Sequence, residues 1–501
     1  MAKTTLDKDL KKVTRLQTAT GELSRSVALP GLAVLFLVAV TLFATQVVAE
    51  GPLAVYAIAG ALVAGYLALN IGANDVANNM GPAVGGKALP MAWALVIAAV
   101  CEAAGAILAG GEVVSTVSKG IITPPPDMGA VDFILVMTAA LFAAAVWINL
   151  ATVVGAPVST THSIVGAVLG AGAAAAGFGV VAWPTLGAIA LSWVISPVMG
   201  GVVAAALLAL IKAAILFRED RIAAARFWVP LLIGLMCGVF TLYMASKGLS
   251  RVWSPPAGVV WTLALGLFAA GWALARPWVL RRSAQMENRR KEVSRLFVLP
   301  LILAAGLLSF AHGANDVANA VGPLAAIVSA AQTGSSAPGS VVLPLWVLAI
   351  GAIGISLGLA LFGPRLIRTV GEKITKMDAM RAYCVAQAAA ITVLVASTLG
   401  LPVSSTHIAI GGIFGVGLLR EVLTNRGIRR RPNGGVMIDP ALMTEGWDDP
   451  GQAEKREKRR LVRRRHAWGI AAAWVITVPA AGLLAAALHL ALSLLTSGPN
   501  T

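Results

Sequence analysis

Charge is scarce in this sequence: Asp, Glu, Lys and Arg make up 12% of its 501 residues, apolar side chains 58%, and the mean hydropathy is +0.82. A soluble globule covers itself with about 25% charged residues, so that class is excluded. Cysteine is rarer still. Cys101, Cys237 and Cys384 each lie singly inside an apolar run, a spacing that fits neither a disulfide framework nor a metal site. The net charge of +16 does not point to nucleic acid either, because most Lys and Arg lie between the apolar runs. What remains is a helical protein that crosses a bilayer many times.

Apolar runs of about 20 residues, enough to cross roughly 30 Å of hydrocarbon, recur along the chain. They cover 29–48, 53–79, 91–110, 133–154, 157–176, 186–211, 229–245, 258–275, 296–320, 343–362, 382–399, 402–419 and 468–492. The class they predict is an all-α polytopic membrane protein of about 12 to 13 membrane segments. The first run follows a basic leader (Lys3, Lys8, Lys11, Lys12, Arg15, Arg25). It is too long for a signal peptide and lacks a small-residue cleavage site, so it reads as a retained helix with its N-terminus cytoplasmic. Linkers 212–228, 276–295, 364–381 and 420–466 are basic, and placing all of them inside puts the C-terminus outside.

A heptapeptide, Gly-Ala-Asn-Asp-Val-Ala-Asn, occurs twice, at 72–78 and 313–319, each copy followed by Gly-Pro (Gly81-Pro82 and Gly322-Pro323). An ionisable group at membrane depth is costly and functional by default. With the basic linkers inside, the two copies run in opposite directions, which predicts two inverted-topology repeats with broken helices and a site near the midplane. The expected organisation is 1–50, basic N-terminus and first helix; 51–212, first repeat; 213–295, middle helix pair and basic linker; 296–419, second repeat; 420–466, a basic cytoplasmic insertion; and 467–501, last helix and tail.

A second motif also recurs, as Gly-Ala-Pro-Val-Ser-Thr-Thr-His at 155–162 and Gly-Leu-Pro-Val-Ser-Ser-Thr-His at 400–407. Gly and Pro stop one helix, and the Ser and Thr that follow cap the next, leaving backbone N–H groups free for an anion. Re-entrant hairpins with these motifs at their tips are expected. The hydroxyls of Ser159, Thr160, Thr161, Ser404, Ser405 and Thr406 and the amides of Asn74, Asn78, Asn315 and Asn319 are candidate substrate donors. None of these motifs contains Lys or Arg. A buried oxyanion beside Asp75 and Asp316 therefore needs cations that enter with it, and Asn74, Asp75, Asn315 and Asp316 are the candidate Na⁺ ligands. Glu102, His162 and His407 are accessory candidates. His312 has Ile71 in the equivalent place, so the repeat gives it no support.

The doubled heptapeptide and the doubled Pro-Val-Ser-Ser/Thr-Thr-His resemble the signatures of the inorganic phosphate transporter (PiT) family over residues 53–492. The stretch from Glu102-Ala-Ala-Gly to Lys119-Gly-Ile-Ile resembles its sodium-coupled branch. The resemblance implies phosphate at the hairpin tips and Asn side chains, cations near Asp75 and Asp316, and import by alternating access. The expected partners are inorganic phosphate, a monovalent cation (Na⁺ ahead of H⁺) and membrane lipid, with a homodimer among the candidate assemblies. No nucleic acid, resident cofactor or enzymatic activity is expected, and the expected location is the plasma (inner) membrane. Alternatives are a sulfate permease of the same family, a passive channel disfavoured by occluding break residues, and an intramembrane hydrolase using Ser159, His162 and Asp75. The hydrolase is disfavoured because Ser and His three apart on one helix do not readily face each other as nucleophile and base.

Overall fold

The computed structural model describes residues 27–155, 158–248, 253–336, 343–369, 377–425, 428–430, 436–438 and 464–496. The apolar runs become helices. These are α1 Val27–Val47, α2 Ala54–Gly85, α3 Met91–Ala109, α4 Gly111–Lys119, α5 Ala130–Val154, α6 Thr160–Ala176 and α7 Trp183–Ile211. A middle group follows: α8 Arg221–Tyr243, α9 Ala257–Ser283 and the short α10 Arg290–Leu296. The second series is α11 Val298–Thr333, α12 Leu345–Thr369, α13 Ala379–Thr398, α14 Ser405–Asn425 and α15 Arg464–Thr496. Among the described residues, twelve helices are long and apolar enough to cross a membrane, and α6, at 17 residues, is shorter than a crossing. Within the linker after α14, β1 Ile428–Arg430 pairs antiparallel with β2 Val436–Ile438. The rest of the expected insertion, 426–427, 431–435 and 439–463, and the basic leader, 1–26, lie outside the described residues.

The two series interlock. α2 packs on α12 while α11 packs on α3, and α6 packs on α15 while α14 packs on α7. Glycine sets the closeness of these crossings. A methyl group on Gly72 would collide with the Ile355 carbonyl, and one on Gly358 with that of Leu69. In the companion pair, Gly313 lies against Glu102 and Gly105 against Phe310. Gly166 and Gly170 meet Val478 and Gly482 as Gly411 and Gly415 meet Pro197 and Gly201. The heptapeptide glycines are therefore contact surfaces, small residues that let backbones approach in lipid.

The helix breaks expected at the heptapeptides do not occur. α2 and α11 run unbroken through 72–78 and 313–319 and past Pro82 and Pro323. The reason is that the polar side chains find partners on other elements, so nothing competes for the backbone at that point. Each proline still strips the carbonyl four residues earlier, on Asn78 and Asn319, of its helix donor. The true interruptions are at the second motif: α5 ends at Gly155 and α13 runs out before Gly400, both left-handed at φ 77 and 66.

Two apolar cores flank a polar belt. Ala57 to Ile71 of α2 lie in the first core and Val76 to Ala83 in the second, whereas Leu301 to Ala314 of α11 lie in the second and Val317 to Ala330 in the first. The two helices thus cross the belt in opposite order. Outside the belt, Asp378 caps α13 by accepting from the Arg381 N–H, and it pairs with Arg381 and Arg290. Burial alone would raise its carboxyl, but the Arg381 hydrogen bonds and charge, with Arg290, hold it below the usual carboxylate value of 3.8.

Two outcomes follow for stability in detergent. Gly72→Ala lowers the melting temperature by the equivalent of about 1 to 3 kcal/mol, while Gly266→Ala, where a methyl meets open space, leaves it unchanged or raised. Because Asp378 titrates lower when folded, its contribution is full above its ordinary value and fades as pH falls through the depressed one. Asn still caps the helix but loses the charge pairing with Arg381 and Arg290, so Asp378→Asn costs about 0.5 to 1 kcal/mol at neutral pH, and melting curves of variant and wild type converge as the pH drops below 3.8.

Candidate functional site

The two heptapeptide helices bring their carboxylates to one hydroxyl. Thr160, in the first turn of α6, lies 2.9 Å from Asp75 Oδ2 and 3.1 Å from Asp316 Oδ2 through its Oγ1. A hydroxyl has one proton to donate, so at any moment one carboxylate is left without it. Thr406 of α14 donates to Asp75 Oδ1 at 3.1 Å and accepts from Asn78 Nδ2 at 2.7 Å. Asn319 Nδ2 reaches Thr160 and Thr161 at 3.4 and 3.3 Å, and Thr161 donates to the Val403 carbonyl of the opposite tip at 3.1 Å.

The hairpin tips are built by capping. Ser159 precedes α6 with extended backbone and its Oγ accepts from the His162 N–H, as Ser404 accepts from that of His407. Asn315 braces the second tip: its Nδ2 donates to Ser397 Oγ and the Leu401 carbonyl, and its Oδ1 accepts from the Val403 N–H. Asn74 donates to Thr152, the first-series equivalent of Ser397. Behind the tips, His162 stacks on Trp193 at 3.7 Å and meets His407 at 4.6 Å between ring centroids. Trp193 donates to the Pro402 carbonyl.

All the residues expected at the site are buried; Asn78, at 8%, is the most exposed. Asn315 is committed to the tip through both its polar atoms, so its geometry is that of a brace. Ser159 and His162 do face each other, Oγ to Nδ1 at 2.7 Å, contrary to the expectation for residues three apart. The N-cap position turns the serine back over the first helical turn, which is what brings them together. The pair nevertheless lacks the third member, since Asp75 binds threonine hydroxyls and His162 stacks on Trp193.

Two residues not anticipated complete the centre. His312 Nε2 lies 3.1 Å from Asp316 and 3.7 Å from Asp75, and its Nδ1 lies 3.3 Å from Glu102. Asn79 donates to the other oxygen of Glu102 at 2.9 Å. The mirror positions hold Ile71, Ile355 and Ala320, all buried and apolar. The available signal for His312 was its place one turn before Asp316 on the same face. Several buried oxygens accept no aligned hydrogen bond among the described residues: Asp316 Oδ1, Glu102 Oε2, and the Oδ1 atoms of Asn74, Asn79 and Asn319. All are acceptors when the carboxylates are ionised, which is the chemistry of a cation site. Ser405 Oγ, also without a partner there, is a donor at the same tip.

Comparison with known proteins places this geometry. The phosphate transporter family model matches residues 71–485. Two relatives, each named "Putative phosphate permease", come from Helicobacter pylori and Thermococcus kodakarensis. The first is 43% identical over 97% of this chain and 98% of its own. The second is 39% identical over 71% of this chain and 87% of its own. A solved structure, "The sodium-dependent phosphate transporter", superposes with a TM-score of 0.75 at 33% identity, covering 88% of this chain and 99% of that one.

The bracing geometry is testable apart from any activity. Asn315→Ala strands the buried Leu401 carbonyl and Val403 N–H and costs about 2 to 4 kcal/mol, against about 1 for Asn74→Ala. Thermal unfolding of the purified variants reads the difference; equal losses would contradict the brace.

Proposed function

This chain belongs to the phosphate transporter family, and on that premise we propose that it imports inorganic phosphate together with a monovalent cation, Na⁺ ahead of H⁺. The observation that carries the cation requirement is the shared Thr160 hydroxyl. Two buried carboxylates face one donor, beside oxygens that accept no aligned hydrogen bond among the described residues. Cations at Asp75, Asp316 and Asn74 supply the positive charge that lets an oxyanion sit at the capped tips, whose donors include Ser405 and the free N–H groups of α6 and α14. Ligation by hard oxygens suits Na⁺, and the name of the solved structure points the same way.

Two inverted repeats, crossing the belt in opposite order, would then exchange access from one side to the other. Burial of every candidate residue fits an occluded stage of that exchange. Cation and phosphate bind mutually, each raising affinity for the other by the same factor. The protein resides in the plasma membrane with its N-terminus cytoplasmic, as the basic linkers favour.

Radiolabelled phosphate uptake into proteoliposomes tests this, with Na⁺ and pH gradients imposed separately. Uptake rises with the Na⁺ gradient, sulfate in excess does not suppress it, and Asp75→Asn abolishes it while the protein remains folded. Wild-type uptake by Asp75→Asn would overturn the assignment; suppression by sulfate would shift the substrate to that anion.

A further inference from the structure

The interlocked series place equivalent residues at equivalent contacts, so a departure from the pattern marks something that only one half does. At one crossing Gly313 meets Glu102 and His312 adjoins it; at the other Gly72 meets Ile355 and Ile71 adjoins it. One half therefore seals this position with aliphatic side chains, and the other fills it with an imidazole and a carboxylate, both fully buried. For packing alone, a pair of isoleucines serves equally well in the same fold.

Carboxylates surround both ring nitrogens of His312. Its Nε2 lies 3.1 Å from Asp316 and 3.7 Å from Asp75, and its Nδ1 lies 3.3 Å from Glu102, which Asn79 holds from the far side. Neither ring nitrogen makes an aligned hydrogen bond. The three ligand atoms of Asp75, His312 and Asp316 lie within 4.8 Å of one another. Metal–ligand bonds of about 2.0 to 2.2 Å at tetrahedral angles put donor atoms roughly 3.3 to 3.6 Å apart, and the two separations from His312 Nε2, 3.1 Å to Asp316 and 3.7 Å to Asp75, bracket that range. A ligating histidine typically donates its other N–H to a carboxylate, which fixes the tautomer and raises its basicity. Glu102 is placed to be that carboxylate and Asn79 to hold it.

We propose that Asp75, His312 and Asp316 form a binding site for a divalent transition-metal ion of the Zn²⁺ and Co²⁺ class, with Glu102 as the residue that positions His312. Na⁺ has little use for an imidazole ligand, whereas these ions take nitrogen and carboxylate together. Ligation displaces the proton from His312 Nε2, which leaves three surrounding carboxylates beside a neutral imidazole, and a divalent ion offsets two of those three charges at a single point. The inference rests on the transport reading only in one respect: sharing Asp75 and Asp316, the metal competes with co-transported Na⁺.

The test uses the full chain in detergent, free of phosphate and Na⁺, titrated with Co²⁺ and followed by its visible absorption. Wild type takes up one Co²⁺ per chain with a nitrogen-containing, low-coordinate spectrum, and added Na⁺ weakens the binding. His312→Ile, the side chain that the mirror position carries, loses the signal with at least a hundredfold weaker binding. Glu102→Gln keeps the spectrum but binds about 10- to 100-fold more weakly, and His489→Asn, a buried histidine of α15 outside the site, binds as wild type does. Melting temperatures without metal show that each variant is folded. Absence of saturable binding to wild type, or equal binding by His312→Ile, would overturn the proposal. Na⁺-driven phosphate uptake measured on the same preparations separates the two readings, since intact uptake with no Co²⁺ site sinks this inference alone.

Discussion

One hydroxyl shared by two buried carboxylates is the constraint from which the rest of the site follows. Thr160 cannot donate to Asp75 and Asp316 together, and no Lys or Arg stands in any of the motifs that meet there. Two like charges at this depth tolerate each other only with a counterion, whose absence costs several kcal/mol per uncompensated group. His312 offers one resident positive charge at most. The deficit is therefore built into the fold, and under the proposed transport a cation held by the unsatisfied oxygens of Asp316, Asn74 and Asn319 meets it. An oxyanion brought to the same tips adds to the requirement, which is why anion and cation depend on each other under the proposed transport.

That constraint is held in place by backbone contact. In lipid there is little hydrophobic gain from pressing helices together, so close approach depends on small residues. The heptapeptide glycines supply it. Gly72 and Gly313 lie directly against the backbones of α12 and α3, and they fix α2 and α11 where Asp75 and Asp316 face the hairpin tips. The same glycines look in the sequence like helix breakers beside an Asn-Asp pair. Locally that inference is sound, but here the side-chain amides donate to other side chains rather than to the backbone of their own helix, and the helix runs on through the motif.

What could be read from the sequence was whatever the chain states twice. The thirteen-run pattern, both doubled motifs and the meeting of Asp75, Asp316, Thr160 and Thr406 were legible because polar residues that recur at matching places in apolar runs are too costly to be incidental. His312 and Asn79 were illegible for the same reason: each stands opposite an apolar residue, Ile71 and Ala320, so a rule that trusts symmetry discards them. The role of Asn315 was missed differently. Its type and position match Asn74, but only the fold shows that it binds the Leu401 carbonyl and the Val403 N–H around Pro402.

The way the parts are joined bears on how such a protein could change access. The tightest backbone crossings pair α2 with α12, α11 with α3, α6 with α15 and α14 with α7. Hairpin helices and heptapeptide helices, by contrast, meet through side chains: Thr160 and Thr406 on the carboxylates, Asn78 and Asn319 on the threonines, Asn315 on the second tip. Packed backbone does not slide without collision, whereas hydrogen-bonded side chains exchange partners at little cost. Because α2 and α11 are unbroken at their motifs, motion is easiest at the polar seam itself, between the tips and the heptapeptide helices. Every ligand that enters the seam replaces or adds contacts across it, so occupancy acts directly on the contacts that would have to change.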